Sequence, residues 1–148
     1  MSVVNPQPPD SRSQRLLIVE DDAATRFALS RILSFSGYHV TTAATLASAL
    51  LKCDEHTCVL LDLHLPDGLG LEVLRRIREK RPHTRVAICS AAHDLELRRK
   101  VEQYHPDAIF IKPIDLDALL AWVREACQVM REGTPAKGVD AAPNRADA

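Results

Sequence analysis

The sequence predicts an α/β fold in which helices cover both faces of a five-stranded parallel sheet. The main observation is that short, continuous apolar runs alternate with longer segments whose apolar residues recur at helical spacing. The chain of 148 residues has the usual size of one domain with a sizeable core. A hydrophobic fraction of 46% fits a folded globular domain and is too high for a disordered chain.

Four apolar runs predict strands that are buried on both faces, as in the interior of a parallel sheet. These runs are residues 16–19, 58–61, 86–89 and 108–111. Residues 38–43 alternate apolar and polar side chains more weakly, so they predict a fifth strand that lies nearer an edge of the sheet.

Apolar residues at helical spacing predict helices between and after these strands. The three clearest stripes are Ala28, Leu29, Ile32 and Leu33; Leu71, Leu74 and Ile77; and Leu116, Leu119, Leu120, Val123, Cys127 and Met130. Asp22 is expected to cap the start of the first helix, and Gly37 is expected to end it. Consecutive β-α units joined by right-handed crossovers then give a doubly wound (βα)5 sandwich.

The two ends of the chain differ in composition from its middle. Residues 1–14 carry three prolines among polar residues, and residues 132–148 are rich in Ala, Gly and Pro. Both segments are predicted to be flexible tails, because neither has a pattern of apolar residues that could join a core. The folded domain is therefore expected to span residues 15–131, with no second domain.

Composition and charge exclude several classes of function. A formal net charge of −1 argues against a protein that mainly coats nucleic acid or an anionic membrane. No apolar run is long enough for a membrane span, and the N-terminus lacks the basic and apolar regions of a secretion signal. The four cysteines have no metal-site spacing and are expected to be buried, reduced thiols of a cytoplasmic protein.

Polar or charged residues follow four of the five predicted strands. Glu20 and Asp21 follow the first strand, Asp62 the third, Ser90 the fourth and Lys112 the fifth. The carboxyl ends of parallel strands share one edge of the sheet, which is where α/β proteins form their sites. We therefore expect three carboxylates, a hydroxyl and an ammonium group to lie close together at this edge.

This combination of groups predicts phosphoryl chemistry. Clustered carboxylates repel one another and need a cation, and oxygen ligands of this kind suit Mg²⁺. An aspartate beside such an ion can attack phosphorus and form an aspartyl phosphate. Lys112 and Ser90 could supply the positive charge and the hydrogen-bond donor that the phosphoryl oxygens require.

Four motifs in this order resemble the receiver domains of two-component response regulators, and most of all the stand-alone bacterial type that acts in chemotaxis. They are residues 17–22 (Leu-Ile-Val-Glu-Asp-Asp), residues 60–68 (Leu-Leu-Asp-Leu-His-Leu-Pro-Asp-Gly) with Gly70, residues 90–92 (Ser-Ala-Ala), and Lys112-Pro113. Each motif alone is weak, but the set is highly specific and covers residues 15–131. The resemblance implies a flavodoxin-like fold with strand order 2-1-3-4-5.

The resemblance also implies a role for each site residue. Asp62 would accept the phosphoryl group, Ser90 would hydrogen-bond it, and Lys112 would pair with it through a turn that contains a cis Lys112-Pro113 bond. The implied Mg²⁺ ligands are Asp21 and Asp62 directly, Glu20 through water, and the main-chain carbonyl of His64. The side chain of His64 is expected to tune the loss of the phosphoryl group, whereas His39, His56, His83, His93 and His105 are expected to be solvated.

The position of the switch residue departs from the family pattern. Receivers usually carry an aromatic switch residue three positions before the lysine, but Ile109 stands there in this chain. Phe110 is one step along the strand, so its side chain is expected on the opposite face of the sheet. We therefore predict that the signal passes through the loop after Ser90 and through the fourth helix.

The function predicted from these residues is that of a stand-alone response regulator. It would take phosphate from a phosphohistidine on a histidine kinase or a histidine phosphotransfer protein, and signal by contacting an unknown downstream protein rather than nucleic acid or membrane. Its only catalysis would be its own phosphorylation and dephosphorylation.

Two alternatives are a degenerate receiver that only binds partners, and a receiver excised from a hybrid kinase. A haloacid-dehalogenase type phosphatase is disfavoured, because His64 stands where that family has a second aspartate.

Overall fold

The computed structural model of the chain describes residues 15–132, so the predicted tails lie outside the described residues apart from Glu132. The helices are Ala23–Phe35 (α1), Leu46–Lys52 (α2), Leu71–Lys80 (α3), Leu95–Glu102 (α4) and Leu116–Glu132 (α5), with a short 3-10 helix at Cys53–Glu55. The strands are Arg15–Val19 (β1), His39–Ala43 (β2), Cys58–Asp62 (β3), His64–Leu65 (β4), Gly68–Leu69 (β5), Arg85–Ser90 (β6) and Ala108–Ile111 (β7).

The main sheet has five parallel strands in the order β2-β1-β3-β6-β7. When only these five strands are numbered, the order is 2-1-3-4-5, and the predicted flavodoxin-like fold is confirmed. The weakly alternating strand β2 lies at an edge, as predicted. The prediction that residues 108–111 are buried on both faces is wrong: β7 forms the other edge of the sheet, and none of its residues is buried, because an edge strand has a neighbouring strand on one side only. The β4-β5 pair is a separate antiparallel ladder that the sequence analysis missed, because two residues a strand are too few to form an alternating pattern.

Side chains that alternate along each strand divide the core between the two faces of the sheet. In β1, Leu17 packs with residues of α2, α3 and α4, whereas Leu16 packs with residues of α1 and α5. Ile109 and Phe110 also lie on opposite faces, as predicted from strand alternation. Helices therefore cover both sides of the sheet, which is the predicted doubly wound sandwich.

The predicted apolar stripes are buried or half-buried, except for two exposed residues. In α1, Leu29 and Leu33 face the core, whereas Ala28 is exposed. In α5, Leu119 and Val123 are fully buried, whereas Leu116 in the first turn is 38% exposed. The predicted contribution of Met130 lies outside the described side chains.

Both predicted ends of α1 are confirmed. The Asp22 side chain accepts hydrogen bonds from the backbone N–H of Thr25 (2.9 Å) and from its hydroxyl (2.6 Å), and so caps the helix. Gly37 follows the C-cap residue with φ +101°, a left-handed conformation that glycine adopts without steric cost.

The prediction of a solvated His56 is wrong. Its side chain is only 2% exposed, and Nδ1 lies 2.9 Å from the carbonyl oxygen of Lys52. The polar neighbours in the sequence suggested a surface position, but His56 directly follows the 3-10 helix and is covered by the surrounding fold. The remaining histidines of that predicted set, His39, His83, His93 and His105, are exposed.

All four cysteines lie within the described residues, are buried and form no disulfide, as predicted. Burial raises the pKa of the Cys89 thiol to about 12, with the Asp62 and Glu20 carboxylates adding to the effect of burial and Lys112 opposing it. Thiols of this kind are core residues without nucleophilic character at neutral pH.

Candidate functional site

The strand ends bring the predicted site residues to one edge of the sheet. In register, Asp62 at the end of β3 is paired with Cys89 of β6, one residue before Ser90. The backbone N–H of Lys112 donates to the carbonyl of Ser90 at 2.8 Å, which places the residue after β7 beside the end of β6. Parallel pairing of β1, β3, β6 and β7 therefore sets these ends side by side.

Three acidic residues form a cluster at this edge. Carboxylate oxygens of Glu20, Asp21 and Asp62 all lie within 4.8 Å of one another. Glu20 is 4% exposed and Asp62 is 7% exposed, whereas Asp21 faces solvent. Two shielded carboxylates and one open to solvent form an oxygen donor set that fits a hard divalent cation. The cluster can therefore bind a metal ion.

Lys112 supplies positive charge to the two shielded carboxylates. Its Nζ lies 3.0 Å from Asp62 Oδ2 and 3.3 Å from Glu20 Oε1. The Lys112-Pro113 peptide bond is cis, as the resemblance implied. Burial alone would lower the pKa of Lys112, but the hydrogen bonds and negative charges of Asp62 and Glu20 outweigh burial and raise it. The side chain therefore stays an ammonium group at neutral pH.

The carboxyl group of Glu20 has a raised pKa. Burial raises it most, and the charge of Asp62 raises it further. The backbone N–H of Asp22, 3.1 Å from Glu20 Oε2, and the ammonium of Lys112 act in the opposite direction without reversing the shift. A bound cation would relieve the repulsion between the carboxylates, so the electrostatics of the cluster favour a metal ion.

Backbone contacts hold Asp62 in place. The N–H of His64 donates to Asp62 Oδ1 at 3.2 Å, and the N–H of Gly70 donates to the carbonyl of Leu63 at 2.8 Å. Gly70 approaches so closely that a Cβ at this position would collide with the Asp62 carbonyl oxygen. The predicted motif residue Gly70 therefore allows the β5-α3 connection to pack behind the acidic residue.

The comparisons with known proteins agree with this geometry. The family model for the response regulator receiver domain matches residues 16–124. The chain belongs to this receiver family. A solved CheY-like response regulator receiver domain protein from Methanospirillum hungatei has 30% identity and a TM-score of 0.75, covering 82% of this chain and 98% of that chain. The non-phosphorylated HemR receiver domain from Leptospira biflexa has 27% identity and a TM-score of 0.69, with 76% and 93% covered.

The curated relatives of this receiver are longer proteins. The response regulator MprA of Mycolicibacterium vanbaalenii is 34% identical over 126 residues, which are 84% of this chain and 53% of the relative. The cell cycle transcriptional regulator CtrA of Caulobacter vibrioides is 31% identical over 109 residues, which are 72% of this chain and 47% of the relative. The chain thus spans about half the length of these relatives.

Ser90 of this receiver is buried, but its hydroxyl group does not contact the acidic cluster. Its Oγ donates to the carbonyl oxygen of Ala91 at 3.1 Å. The predicted contact between Ser90 and a phosphoryl group, and the predicted metal contact of the His64 carbonyl, therefore stay predictions. To hydrogen-bond a phosphoryl group on Asp62, the hydroxyl would have to turn away from the Ala91 carbonyl.

Two side chains that support the site were missed in the sequence analysis. Arg26 donates from Nη1 to the carbonyl oxygens of Glu20 (2.9 Å) and Asp21 (3.2 Å), which fixes the acidic loop against α1. Asp67 accepts hydrogen bonds from the first two N–H groups of α2, at Leu46 (2.6 Å) and Ala47 (2.9 Å). Arg26 lies one helical turn after the Asp22 cap, so its spacing could have suggested this role. No local signal in the sequence links Asp67 to a helix 20 residues earlier.

An apolar cleft of about 560 Å³ opens beside the acidic cluster of the receiver. Glu20 and Lys112 line its polar end. Its apolar wall comes from α1 and from the connection between β7 and α5, and consists of Ala28, Leu29, Ile32, Pro113, Ile114 and Leu116. This cleft accounts for the exposure of Ala28 and Leu116.

No helix among residues 15–132 is long and apolar enough to cross a membrane.

Proposed function

We propose that this receiver accepts a phosphoryl group from a phosphohistidine onto Asp62, with Mg²⁺ held at the acidic cluster. The observation that carries the proposal is the convergence of Asp62, two further acids and the Lys112 ammonium within contact distance at one sheet edge. This group of side chains supplies a nucleophile, a cation site and a counter-charge for phosphoryl oxygens in one place.

In the transfer, an Asp62 oxygen forms a bond to phosphorus while the bond between phosphorus and the donor imidazole nitrogen breaks. Bound Mg²⁺ would supply positive charge to the phosphoryl oxygens. Asp21, Asp62, Glu20 through water and the His64 carbonyl would hold the ion, as the family resemblance implies. Lys112 already contacts Asp62 and would pair with the phosphoryl group, and Ser90 would turn to hydrogen-bond it.

The apolar cleft supports a protein as phosphoryl donor. A small-molecule donor needs only the polar cluster, whereas a protein must place its histidine there by packing against neighbouring surface. The cleft begins at Glu20 and Lys112 and continues as an apolar wall, and Phe27 on α1 is 63% exposed. We infer that the donor is a histidine kinase or a histidine phosphotransfer protein.

The same proposal covers output and location. We infer that the phosphorylated receiver contacts a downstream protein, with no direct contact to nucleic acid or membrane. Four buried cysteines without a disulfide support a reducing compartment, so we place the reaction in the cytoplasm. The only catalysis that we assign is phosphorylation and dephosphorylation of Asp62 itself. A receiver that acts only as a binding module is disfavoured, since none of the acidic residues or the lysine has been lost.

The test is chemical phosphorylation of the full chain. Acetyl phosphate or phosphoramidate with Mg²⁺ should add one phosphoryl group, a mass gain of about 80 Da that hydroxylamine removes. Chelation of Mg²⁺ should stop the labelling. Asp62→Asn should abolish it, whereas Asp117→Asn, which changes an exposed acid of α5, should label normally. Equal labelling of Asp62→Asn would contradict the proposal, and no labelling of the wild type would favour the pure binding module.

A further inference from the structure

Asp94 occupies the N-cap position of α4 but does not cap the helix. Its side chain makes no hydrogen bond to the first backbone N–H groups of α4, in contrast to Asp22, which caps α1. Aspartate is favoured at this position because its carboxylate normally satisfies one of those N–H groups. The Asp94 carboxylate is instead directed to a side chain from another loop.

That partner is His64, whose Nε2 lies 2.8 Å from Asp94 Oδ2. The Asp94 side chain is 12% exposed and the His64 side chain 58% exposed, so the carboxylate lies inward of the imidazole. A carboxylate can only accept a hydrogen bond, so Nε2 of His64 must carry the proton. His93, also in this loop, is a weaker partner, since its Nε2 is 4.0 Å from Asp94 Oδ1 and its side chain is 86% exposed.

The His64–Asp94 hydrogen bond joins the two loops that flank the proposed acceptor. His64 lies two residues after Asp62, and its own backbone N–H donates to Asp62 Oδ1. Asp94 lies four residues after Ser90, at the far end of the loop that connects β6 to α4. The position of the imidazole beside Asp62 is therefore set by a residue 30 positions away in the sequence.

We propose that Asp94 is a positioning residue that holds the His64 imidazole away from the phosphoryl group on Asp62 and so lengthens the lifetime of the aspartyl phosphate. The inference rests on the proposed function and concerns the loss of the phosphoryl group. In that step, a water oxygen bonds to phosphorus, the bond from phosphorus to the Asp62 oxygen breaks, and the carboxylate is regenerated as inorganic phosphate leaves.

His64 can act on this step by accepting the proton of the attacking water. With Nε2 protonated and bound to Asp94, the outermost nitrogen of the ring cannot accept that proton. Once released, the ring can rotate about its side-chain torsions and adopt the tautomer with a free Nε2 lone pair. It can then serve as a general base for water near Asp62. Asp94 prevents this by fixing the orientation of the ring: Nε2 has no free lone pair while it donates to Asp94, and Nδ1, which keeps one, cannot turn toward the water.

The experiment measures the half-life of phosphorylated Asp62 after removal of acetyl phosphate, by intact-protein mass spectrometry of the full chain. Asp94→Ala should shorten the half-life by about threefold or more, because the released imidazole assists hydrolysis. Asp94→Asn should restore most of the wild-type half-life, since its amide oxygen can still accept the Nε2 hydrogen bond. Glu96→Ala, which removes a nearby exposed charge of α4, should leave the half-life unchanged.

A double-mutant cycle decides whether Asp94 acts through His64. In a His64→Ala background, Asp94→Ala should have no further effect on the half-life. Equal shortening in both backgrounds, an unchanged half-life or a longer one in Asp94→Ala would each overturn the proposal.

A spectroscopic readout is independent of phosphorylation. The ¹⁵N shifts of His64 should report the Nε2–H tautomer in the wild type and a mixture of tautomers in Asp94→Ala. Unchanged shifts would overturn the proposed positioning. A wild type that takes no label would contradict the proposed function, and the lifetime proposal with it, whereas normal labelling with an unaltered half-life would contradict only the role of Asp94.

Discussion

The ammonium nitrogen of Lys112 lies 3.0 Å from Asp62 Oδ2, although the two residues are 50 positions apart in the chain. The same nitrogen is 3.3 Å from Glu20 Oε1. A divalent cation in the acidic cluster would draw on the same two carboxylates. Lys112 therefore offsets the repulsion between these carboxylates, and it would compete with a cation for their negative charge.

Lys112→Met should have opposite effects on Mg²⁺ affinity and on the rate of phosphorylation. Removal of the ammonium leaves the acids uncompensated, so Mg²⁺ should bind tighter, on the order of fivefold by isothermal titration calorimetry. Labelling by acetyl phosphate should become at least about tenfold slower, because a counter-charge for the phosphoryl oxygens is lost. The control Lys100→Met, an exposed lysine of α4, should change neither quantity. Weaker Mg²⁺ binding in Lys112→Met would contradict this competition.

Gly70→Ala should damage both stability and labelling. The new methyl group would collide with the Asp62 carbonyl, so the β3-β4 connection must move. We expect a loss of about 1–3 kcal/mol in the free energy of unfolding, measured with urea, and slower labelling of Asp62. Leu69→Ala changes the preceding, exposed residue and should do neither. Wild-type stability in Gly70→Ala would show that the close approach is not required.

Stability should fall as the pH drops through the titration range of a normal histidine, because of His56. Burial lowers the pKa of His56, with a further decrease from the charge of Arg15, and the hydrogen bond to the Lys52 carbonyl only partly offsets these effects. Nε2 has no hydrogen-bond partner among residues 15–132, so an added proton there would be buried without an acceptor. The unfolded chain therefore binds more protons than the folded one below about pH 6.5.

The measurement is the midpoint of urea unfolding between about pH 7.5 and pH 5. The midpoint should fall with pH in the wild type, and the slope should be smaller in His56→Phe, which keeps the ring volume without a titrating group. His83→Gln alters an exposed histidine and should keep the wild-type slope. An identical slope in His56→Phe would assign the pH dependence to other groups.

Switching should be centred on the loop after Ser90 and on α4. Ile109 is β-branched and stiff at χ1, so it cannot reproduce the rotation of an aromatic switch residue. A change in the free-energy difference between two packings of the domain is still sufficient to shift the population from one to the other. Hydrogen exchange with and without beryllofluoride should therefore change most in residues 90–104, while Ile109 keeps one rotamer by methyl NMR. A large reorientation of Ile109 that accompanies movement of Ser90 would contradict this route.

Local pattern was enough to predict the strands and the acidic edge. Three continuous apolar runs, residues 16–19, 58–61 and 86–89, form the buried interior strands of the sheet, whereas the similar run 108–111 forms the edge strand β7. Polar residues directly after such runs, such as Asp62 and Lys112, must emerge at the same edge when the strands are parallel. The cap of α1 by Asp22 is likewise local, since donor and acceptor are three residues apart.

Contacts between distant segments were not predictable in this way. Nothing in the polar residues around His56 indicates that this residue is only 2% exposed in the fold. The capping of α2 by Asp67 and the hydrogen bond from His64 to Asp94 join segments 20 to 30 residues apart. Each depends on how loops meet after the sheet has formed.

The sequence by itself determined the class of fold, the strand order expected from its family resemblance, and the residues at the reactive edge, since these follow from periodicity and from the position of each residue relative to a strand end. Only the tertiary structure decided where the Ser90 hydroxyl points, which side chain holds His64, and that an apolar cleft opens beside Lys112. The physical reason is that the orientation of a side chain depends on which groups compete for each hydrogen-bond donor and acceptor. The shape of the surface likewise depends on which groups fill the space between packed segments. That competition includes residues far away in the chain.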